Sequence, residues 1–143
     1  EAARKFTNKL WNIGRFIDMS RTQNSKLKTQ NSGTKELLDI AENENDKEMI
    51  KKTQDLIREI TEDLDGYNFN FASERLYDFL WHTFADKYIE DVKNRIDDNS
   101  FLILNSLFLI LLKLLHPFIP FVTEEIYQRF KFGESLIIEA WPA

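Results

Sequence analysis

Residues 101–115 read FLILNSLFLILLKLL, an apolar run interrupted only by Asn105, Ser106 and Lys113. A helix that is apolar on nearly every side has no face to offer water, so protein or lipid must wrap it. A bilayer span needs about 20 such residues. This run is shorter, carries three polar side chains, and stops at His116-Pro117, because proline disfavours helix in the residue before it. The better reading is a buried helix inside a bundle, spanning about 100–115, with Asn99 or Ser100 as its N-cap. The rest of the chain then has to supply amphipathic helices around it.

It does. Over residues 1–19, Ala3, Phe6, Leu10, Ile13 and Ile17 step by 3 and 4 and draw one apolar stripe at helical period. Residues 20–35, SRTQNSKLKTQNSGTK, are polar and basic and read as a surface loop. A short helical turn is expected at 36–41. A second long helix spans about 45–65, with a narrow stripe of Met49, Ile50, Thr53, Leu56, Ile57, Ile60 and Leu64. Gly66 is expected to end it in a left-handed turn. A third helix covers about 70–96, with Asn70 as expected N-cap. Ala72, Leu76, Leu80, Phe84, Tyr88 and Val92 make one apolar row, and Tyr77, Trp81, Ala85 and Ile89 an adjacent one. That breadth implies contact with two or more neighbours. A last helix spans about 121–131, with Thr123, Glu124 and Glu125 in its first turns. Leu136–Trp141 reads as a short extended tail closed by Pro142. The expected fold class is all-α: one domain over 1–143, a bundle of four to five helices with an extended tail.

Composition narrows the chemistry. The 143 residues hold no cysteine and two histidines, His82 and His116, too far apart in sequence for a histidine-pair zinc motif. His116, before a proline at a helix end, reads as a hydrogen-bonded structural group. The four glycines are scattered and form no phosphate-cradling loop. No nucleophile stands with a base, so no catalytic, metal or cofactor residue is expected within the chain. The opening EAARKFTNKLW has no signal-peptide core and no cap before its helical pattern, and reads as a fragment of a longer chain.

Charge points elsewhere. The net charge is −5, yet residues 1–35 carry eight basic and two acidic groups, a net of +6. The other 108 residues carry 11 basic and 22 acidic groups, a net of −11. A polyanion is drawn to the first segment and repelled by much of the rest. Opposite the apolar stripe of the first helix fall Arg4, Asn8, Trp11, Asn12 and Arg15, with Phe16 at the border. Arginine, asparagine and aromatic side chains together suit unpaired RNA: rings stack on bases, guanidinium groups meet phosphates, and amides read base edges. The plain alternative is that Trp11 and Phe16 widen the buried face and dock a neighbouring domain.

Three stretches resemble one family. Arg4 to Phe16, containing Asn8-Lys9-Leu10-Trp11-Asn12 and Arg15-Phe16, is similar to the opening helix of the valyl-tRNA synthetase anticodon-binding domain, with its N-K-L-W-N-x-x-R-F pattern. Tyr67 to Ile96 resembles that family's central helix. Leu115 to Tyr127 resembles its L-H-P-F-x-P-F-[IV]-T-E-E-[IL]-[WY] signature, shared with isoleucyl- and leucyl-tRNA synthetases, and Ser135 to Pro142 fits the tail.

The resemblance implies an anticodon-binding helical bundle of a class I aminoacyl-tRNA synthetase. It implies that Arg15 and Phe16, with Ile89 after the tyrosine of D-x-Y-[LI]-E and, more weakly, Asn12, contact the anticodon loop of tRNA(Val). Lys87 departs from the tryptophan of many relatives. The H-I-G-H and K-M-S-K-S signatures are absent, so valine activation with ATP and Mg would belong to a catalytic domain elsewhere in a cytoplasmic parent enzyme, with no membrane and no metal partner for this stretch. Two other readings stand: the same domain of an isoleucyl or leucyl enzyme, and a helical docking module without RNA binding that uses the fourth helix and the Trp141 tail.

Overall fold

The computed structural model describes residues 2–23, 33–95, 97–130 and 140–142. Most of the expected basic loop and of the extended tail, and the end of the third helix at Ile96, lie outside these residues. Helix α1 is Ala2–Gln23, α2 Thr34–Ile40, α3 Glu44–Asp65 and α4 Phe69–Asp78. A π-helical segment, Phe79–Ile89, continues α4 and leads into α5, Glu90–Arg95. Helix α6 is Asp98–Leu115 and α7 is Pro120–Arg129. No strand occurs among the described residues.

Helix α6 is the axis of the fold. Ile103, Leu104, Leu107, Phe108, Leu111, Leu112 and Leu114 are all at most 1% exposed. Helices α1, α2, α3, α4, α5 and α7 each pack against α6. It is long and apolar enough to cross a membrane by length and composition alone, but 72% of it is already buried by the surrounding helices. The docking reading that used this helix therefore loses its surface. The Trp141 indole donates to Thr61 Oγ1 of the same chain at 3.0 Å.

The row spaced by four along the third helix is buried throughout: Ala72, Leu76, Leu80, Phe84, Tyr88 and Val92 are 0–3% exposed. In a uniform α-helix this spacing overshoots a full turn by about 40° per step, and five steps would carry the row to the far side. A π-turn holds more than four residues, so the same step falls short. The π segment in the middle of the row offsets part of the drift, and all six side chains stay buried. Sequence alone suggested an uninterrupted α-helix here.

Four expected helix ends differ. The cap of α6 is Asp97, whose carboxylate accepts from Asn99 N at 3.0 Å. Asn99 and Ser100 serve tertiary contacts instead: Asn99 Nδ2 donates to the Ile40 carbonyl at 2.9 Å, and Ser100 Oγ to Asp46 at 2.6 Å. At the end of α3, Gly66 keeps φ −88°, and the left-handed residue is Tyr67, at φ 60°. Asn68 N reaches the Asp63 carbonyl at 2.7 Å and Tyr67 N the Leu64 carbonyl at 3.1 Å, a Schellman closure one residue later than the glycine suggested. Helix α4 opens at Phe69 with Asn68 in the cap position, so Asn70 already lies in its first turn. Helix α7 opens at Pro120, a residue earlier than expected, which puts Glu124 and Glu125 past its first turn.

Asp46 is fully buried near the start of α3. Its carboxylate accepts from Tyr88 Oη at 2.8 Å, from Ser100 Oγ at 2.6 Å and from both terminal nitrogens of Arg95, at 2.9 and 3.3 Å. Arg95 also donates to Asp91 at 2.6 Å. Burial, with the Asp46 charge beside it, pushes the Tyr88 phenol well above its ordinary range. Burial alone would lower the Arg95 pKa, but the hydrogen bonds to Asp46 and Asp91 prevail and raise it. The cluster joins α3, the end of the π segment, α5 and α6.

Gly14 lies where α1 packs against Ile126 of α7 and Phe130 just beyond it. A Cβ built there would lie 2.8 and 3.0 Å from ring carbons of Phe130 and 3.3 Å from Ile126 Cγ2. The Phe130 ring is buried and has Trp11 edge-on at 5.6 Å, so it has little room to retreat. Alanine gains about 1 kcal/mol of helix propensity over glycine, and overpacking a core costs about 1–3 kcal/mol. Gly14→Ala is therefore expected to lower stability by about 1 kcal/mol net, read as a lower urea midpoint at unchanged slope.

Candidate nucleic-acid interface

Helix α1 divides as its periodicity requires. Phe6, Leu10, Ile13 and Ile17 are buried, whereas Arg4, Asn8, Asn12 and Arg15 are exposed. Trp11 does not stay with the polar face: it is half-buried against Phe130. Arg15 and Asn12 have no hydrogen bond or ion pair among the described residues, so their donors are free to meet a ligand.

Phe16 is half-buried. Its ring lies 6.3 Å from that of Phe101, and Lys93 Nζ sits 4.9 Å from its centroid. The Lys93 ammonium thus lies over one face of the ring. A cation over an exposed ring contributes about 0.5–1 kcal/mol, less than a stacked base offers. Ile89 is 4% exposed and contributes to the floor of the same recess rather than its rim.

These residues meet in a cleft of about 210 Å³ between α1 and the π segment with α5. Asn12, Ile13 and Phe16 form one wall, Ala85 and Ile89 the floor, and Lys9, Asp86, Glu90 and Lys93 the charged rim. The structure thus brings Asn12, Phe16 and Ile89 together, with Arg15 next to Phe16 on the chain. Lys9 bonds Asp86 at 2.8 Å and Lys93 bonds Glu90 at 3.2 Å. The Lys9 hydrogen bond, with a smaller contribution from His82, holds the Asp86 carboxyl below its usual range. Lys9 Nζ also lies 4.9 Å from the Trp81 ring centroid.

Lys9 and Lys93 were not among the residues singled out from sequence. Lys93 was legible as the i+4 neighbour of Ile89, which places it on the same side of its helix. Lys87, at the position where the resemblance expects tryptophan, faces away from this cleft. It lines a separate recess of about 180 Å³ with Asn45, Lys52, Thr83 and Asp91.

The family model for the anticodon-binding domain of tRNA ligase matches residues 46–143. The chain belongs to the anticodon-binding domain family of the tRNA ligases. The valine–tRNA ligase of Fervidobacterium nodosum is 38% identical over 144 residues, covering 97% of this chain. Those of Clostridium perfringens and Thermotoga maritima are 38% and 35% identical and cover 99% of it. These matches include α1, which lies ahead of the family-model match. The anticodon-binding domain spans 16% of the length of each of these relatives.

Gly14 is closed off by Phe130, and Gly66 sits in a helix end against Asn68. Among the described residues no group of three His, Cys, Asp or Glu side chains is placed to hold a metal ion. His116 Nδ1 lies 2.9 Å from Thr123 Oγ1, and Thr123 Oγ1 donates to the Ile119 carbonyl at 3.1 Å. That histidine braces the turn before α7.

Proposed function

We propose that this domain holds the anticodon loop of tRNA(Val) for a valine–tRNA ligase, and that its contact residues are Arg15, Phe16, Asn12 and Ile89, with Lys93 as a mobile phosphate contact. The observation that supports the reading is a cleft whose wall carries Asn12 and Phe16 and whose floor carries Ile89, with the exposed Arg15 next to Phe16 on the chain. An unpaired base sliding over Phe16 would displace the Lys93 ammonium, which then lies near the base's own phosphate. The Asn12 amide, without a partner among the described residues, is available to a base edge. Ile89 gives the base an apolar floor. ATP with Mg and the valine chemistry are assigned to a catalytic domain elsewhere in the same ligase. No catalytic step is placed in this chain. The site of action is the cytoplasm, with the tRNA pool.

The experiment is a titration of the ligase with a tRNA(Val) anticodon stem-loop across salt concentrations. Each phosphate neutralised on single-stranded RNA adds about −0.7 to the slope of log K against log salt. Lys93→Ala is expected to weaken binding a few-fold and to make that slope shallower by about 0.7. An unchanged slope would remove Lys93 from the interface. The 143-residue domain alone is expected to bind more weakly than the whole ligase, which engages several parts of the tRNA at once.

A further inference from the structure

Three aromatic rings form a continuous stack where α1 lies on α4 and the π segment. The Phe6 ring is 4.8 Å from that of Tyr77, with 25° between their planes, and the Tyr77 ring is 5.7 Å from that of Trp81, with 16°. Lys9 Nζ lies over the Trp81 ring at 4.9 Å from its centroid and bonds Asp86 at 2.8 Å. Phe6 and Lys9 are three residues apart on α1, and Tyr77 and Trp81 four apart on the facing helix, so each of the two α1 side chains covers one ring.

The stack runs from the interior outward. Phe6 is buried, whereas Tyr77 and Trp81 are half-buried. Neither the Tyr77 hydroxyl nor the Trp81 indole N–H has a hydrogen-bond partner among the described residues. The buried side-chain polar atoms without a partner there are Arg95 Nε and Asn105 Oδ1, so both aromatic tips open to water.

Trp81 repeats the arrangement at Phe16. Each is a half-buried ring with an ammonium group over it, and the two lysines stand on the rim of one cleft. An exposed ion pair and a cation over such a ring are each weaker than a stacked base. Displacing Lys9 need not break its bond to Asp86, because an ammonium group has three donors and two remain for a phosphate. Lys5, one turn earlier on α1, is exposed and has no ion pair among the described residues, so the positive edge continues past Lys9.

Lys9 and Phe16 are seven residues apart, about 10 Å along α1. Nucleotides stacked along one strand rise about 3.4 Å each. One base cannot serve both rings, and two bases on them are splayed apart, the state in which unpaired loops are read.

We propose that Trp81, with Lys9 as its phosphate contact, is a second nucleotide subsite that takes one further unpaired nucleotide of the loop held at Phe16. Asp86 is a positioning residue: it holds the Lys9 ammonium beside the ring, and its charge keeps the RNA backbone on the α1 side while the base crosses to Trp81. The subsite rests on the reading of the α1 cleft as the anticodon site.

The test uses the full-length ligase and tRNA(Val) anticodon stem-loops in which each loop nucleotide in turn lacks its base. Trp81→Leu and Phe16→Leu each remove a flat ring and keep apolar packing. Trp81→Leu is expected to weaken binding of the intact stem-loop by about fivefold to a hundredfold. One abasic position should then cost the unsubstituted ligase a similar factor and the Trp81→Leu variant less than about twofold, and that position should differ from the one uncoupled by Phe16→Leu. Trp81→Phe, which keeps a ring, should retain the coupling. An unchanged affinity overturns the subsite, and so does a Trp81→Leu loss that is the same at every abasic position, the mark of a structural role. Coupling of both rings to one position overturns it in favour of a single base. Coupling at Phe16 alone sinks only the second subsite, and no coupling at either ring sinks the anticodon cleft with it. Lys9→Met keeps an aliphatic stem over Trp81 without the charge and is expected to make the salt slope shallower by about 0.7. An unchanged slope overturns the proposal even where Trp81→Leu fails to fold.

Discussion

Asp46→Ala is expected to lower the stability of the fold by about 3–5 kcal/mol, the cost of breaking a buried ion pair from one side. The mutation leaves Arg95 and Tyr88 facing a vacancy with no acceptor for the donors they now direct at the carboxylate, and Ser100 with only the longer contact to Asp97 at 3.4 Å. Arg95 retains only Asp91 as a carboxylate partner. Domains of this size are stable by about 5–15 kcal/mol, so the loss is a large share of the total. Asp46→Asn keeps the volume and some of the hydrogen bonds and is expected to cost less. Urea unfolding of both variants checks the order. The effect extends to function, because Tyr88 adjoins Ile89 and Arg95 lies two residues beyond Lys93. Loosening the cluster should loosen the wall of the anticodon cleft, and Asp46→Asn should weaken anticodon binding although Asp46 lies outside the cleft lining.

The paired substitution Arg15→Ala with Phe16→Ala is expected to raise the KM of the full ligase for tRNA(Val) by about fivefold to a hundredfold. Loss of one stacked base accounts for about 1–3 kcal/mol, and each 1.4 kcal/mol is about tenfold in affinity. Phe16 also packs near Phe101, at 6.3 Å between centroids, so the alanine variant loses some stability as well. Phe16→Leu separates the two effects: it keeps apolar packing and removes the flat ring. It should restore the melting temperature without restoring tRNA affinity. Valine activation by ATP, measured without tRNA, should be unaffected by any of these changes. A loss of activation would mean that the substitutions act by unfolding the enzyme.

The parts of this architecture that were legible from sequence are those set by local pattern. The run from Phe101 to Leu115 read better as a buried bundle helix than as a membrane span, and 72% of α6 is buried in the bundle. The stripe of α1 placed Phe6, Leu10, Ile13 and Ile17 inward and left Asn12 and Arg15 outside. What escaped the sequence depends on distant partners. Asp46 sits among Glu44, Asn45, Lys47 and Glu48 in a stretch that reads as a solvated helix start. Its burial is set by Tyr88, Arg95 and Ser100, which come 42, 49 and 54 residues later. The caps at Asn99 and Ser100 were misplaced for the same reason, since those side chains are taken by α2 and by Asp46. The π segment did leave a trace: six apolar residues in strict steps of four cannot share one face of a uniform α-helix. The cleft was half legible. Arg15, Phe16, Asn12 and Ile89 were singled out, and Lys93 was within reach as the i+4 neighbour of Ile89, whereas the placement of Lys9 follows from how α1 packs on the π segment.

A photocrosslinkable thiouridine placed in the anticodon loop of tRNA(Val), irradiated on the full-length ligase and mapped by mass spectrometry, interrogates the α1 cleft directly. Crosslinks are expected on peptides containing Asn12 to Phe16 and Ala85 to Lys93, and they should disappear with Arg15→Ala and Phe16→Ala together. Crosslinks confined to the Tyr67–Phe71 turn or to α7, and indifferent to those substitutions, would contradict the assignment of this cleft to unpaired RNA.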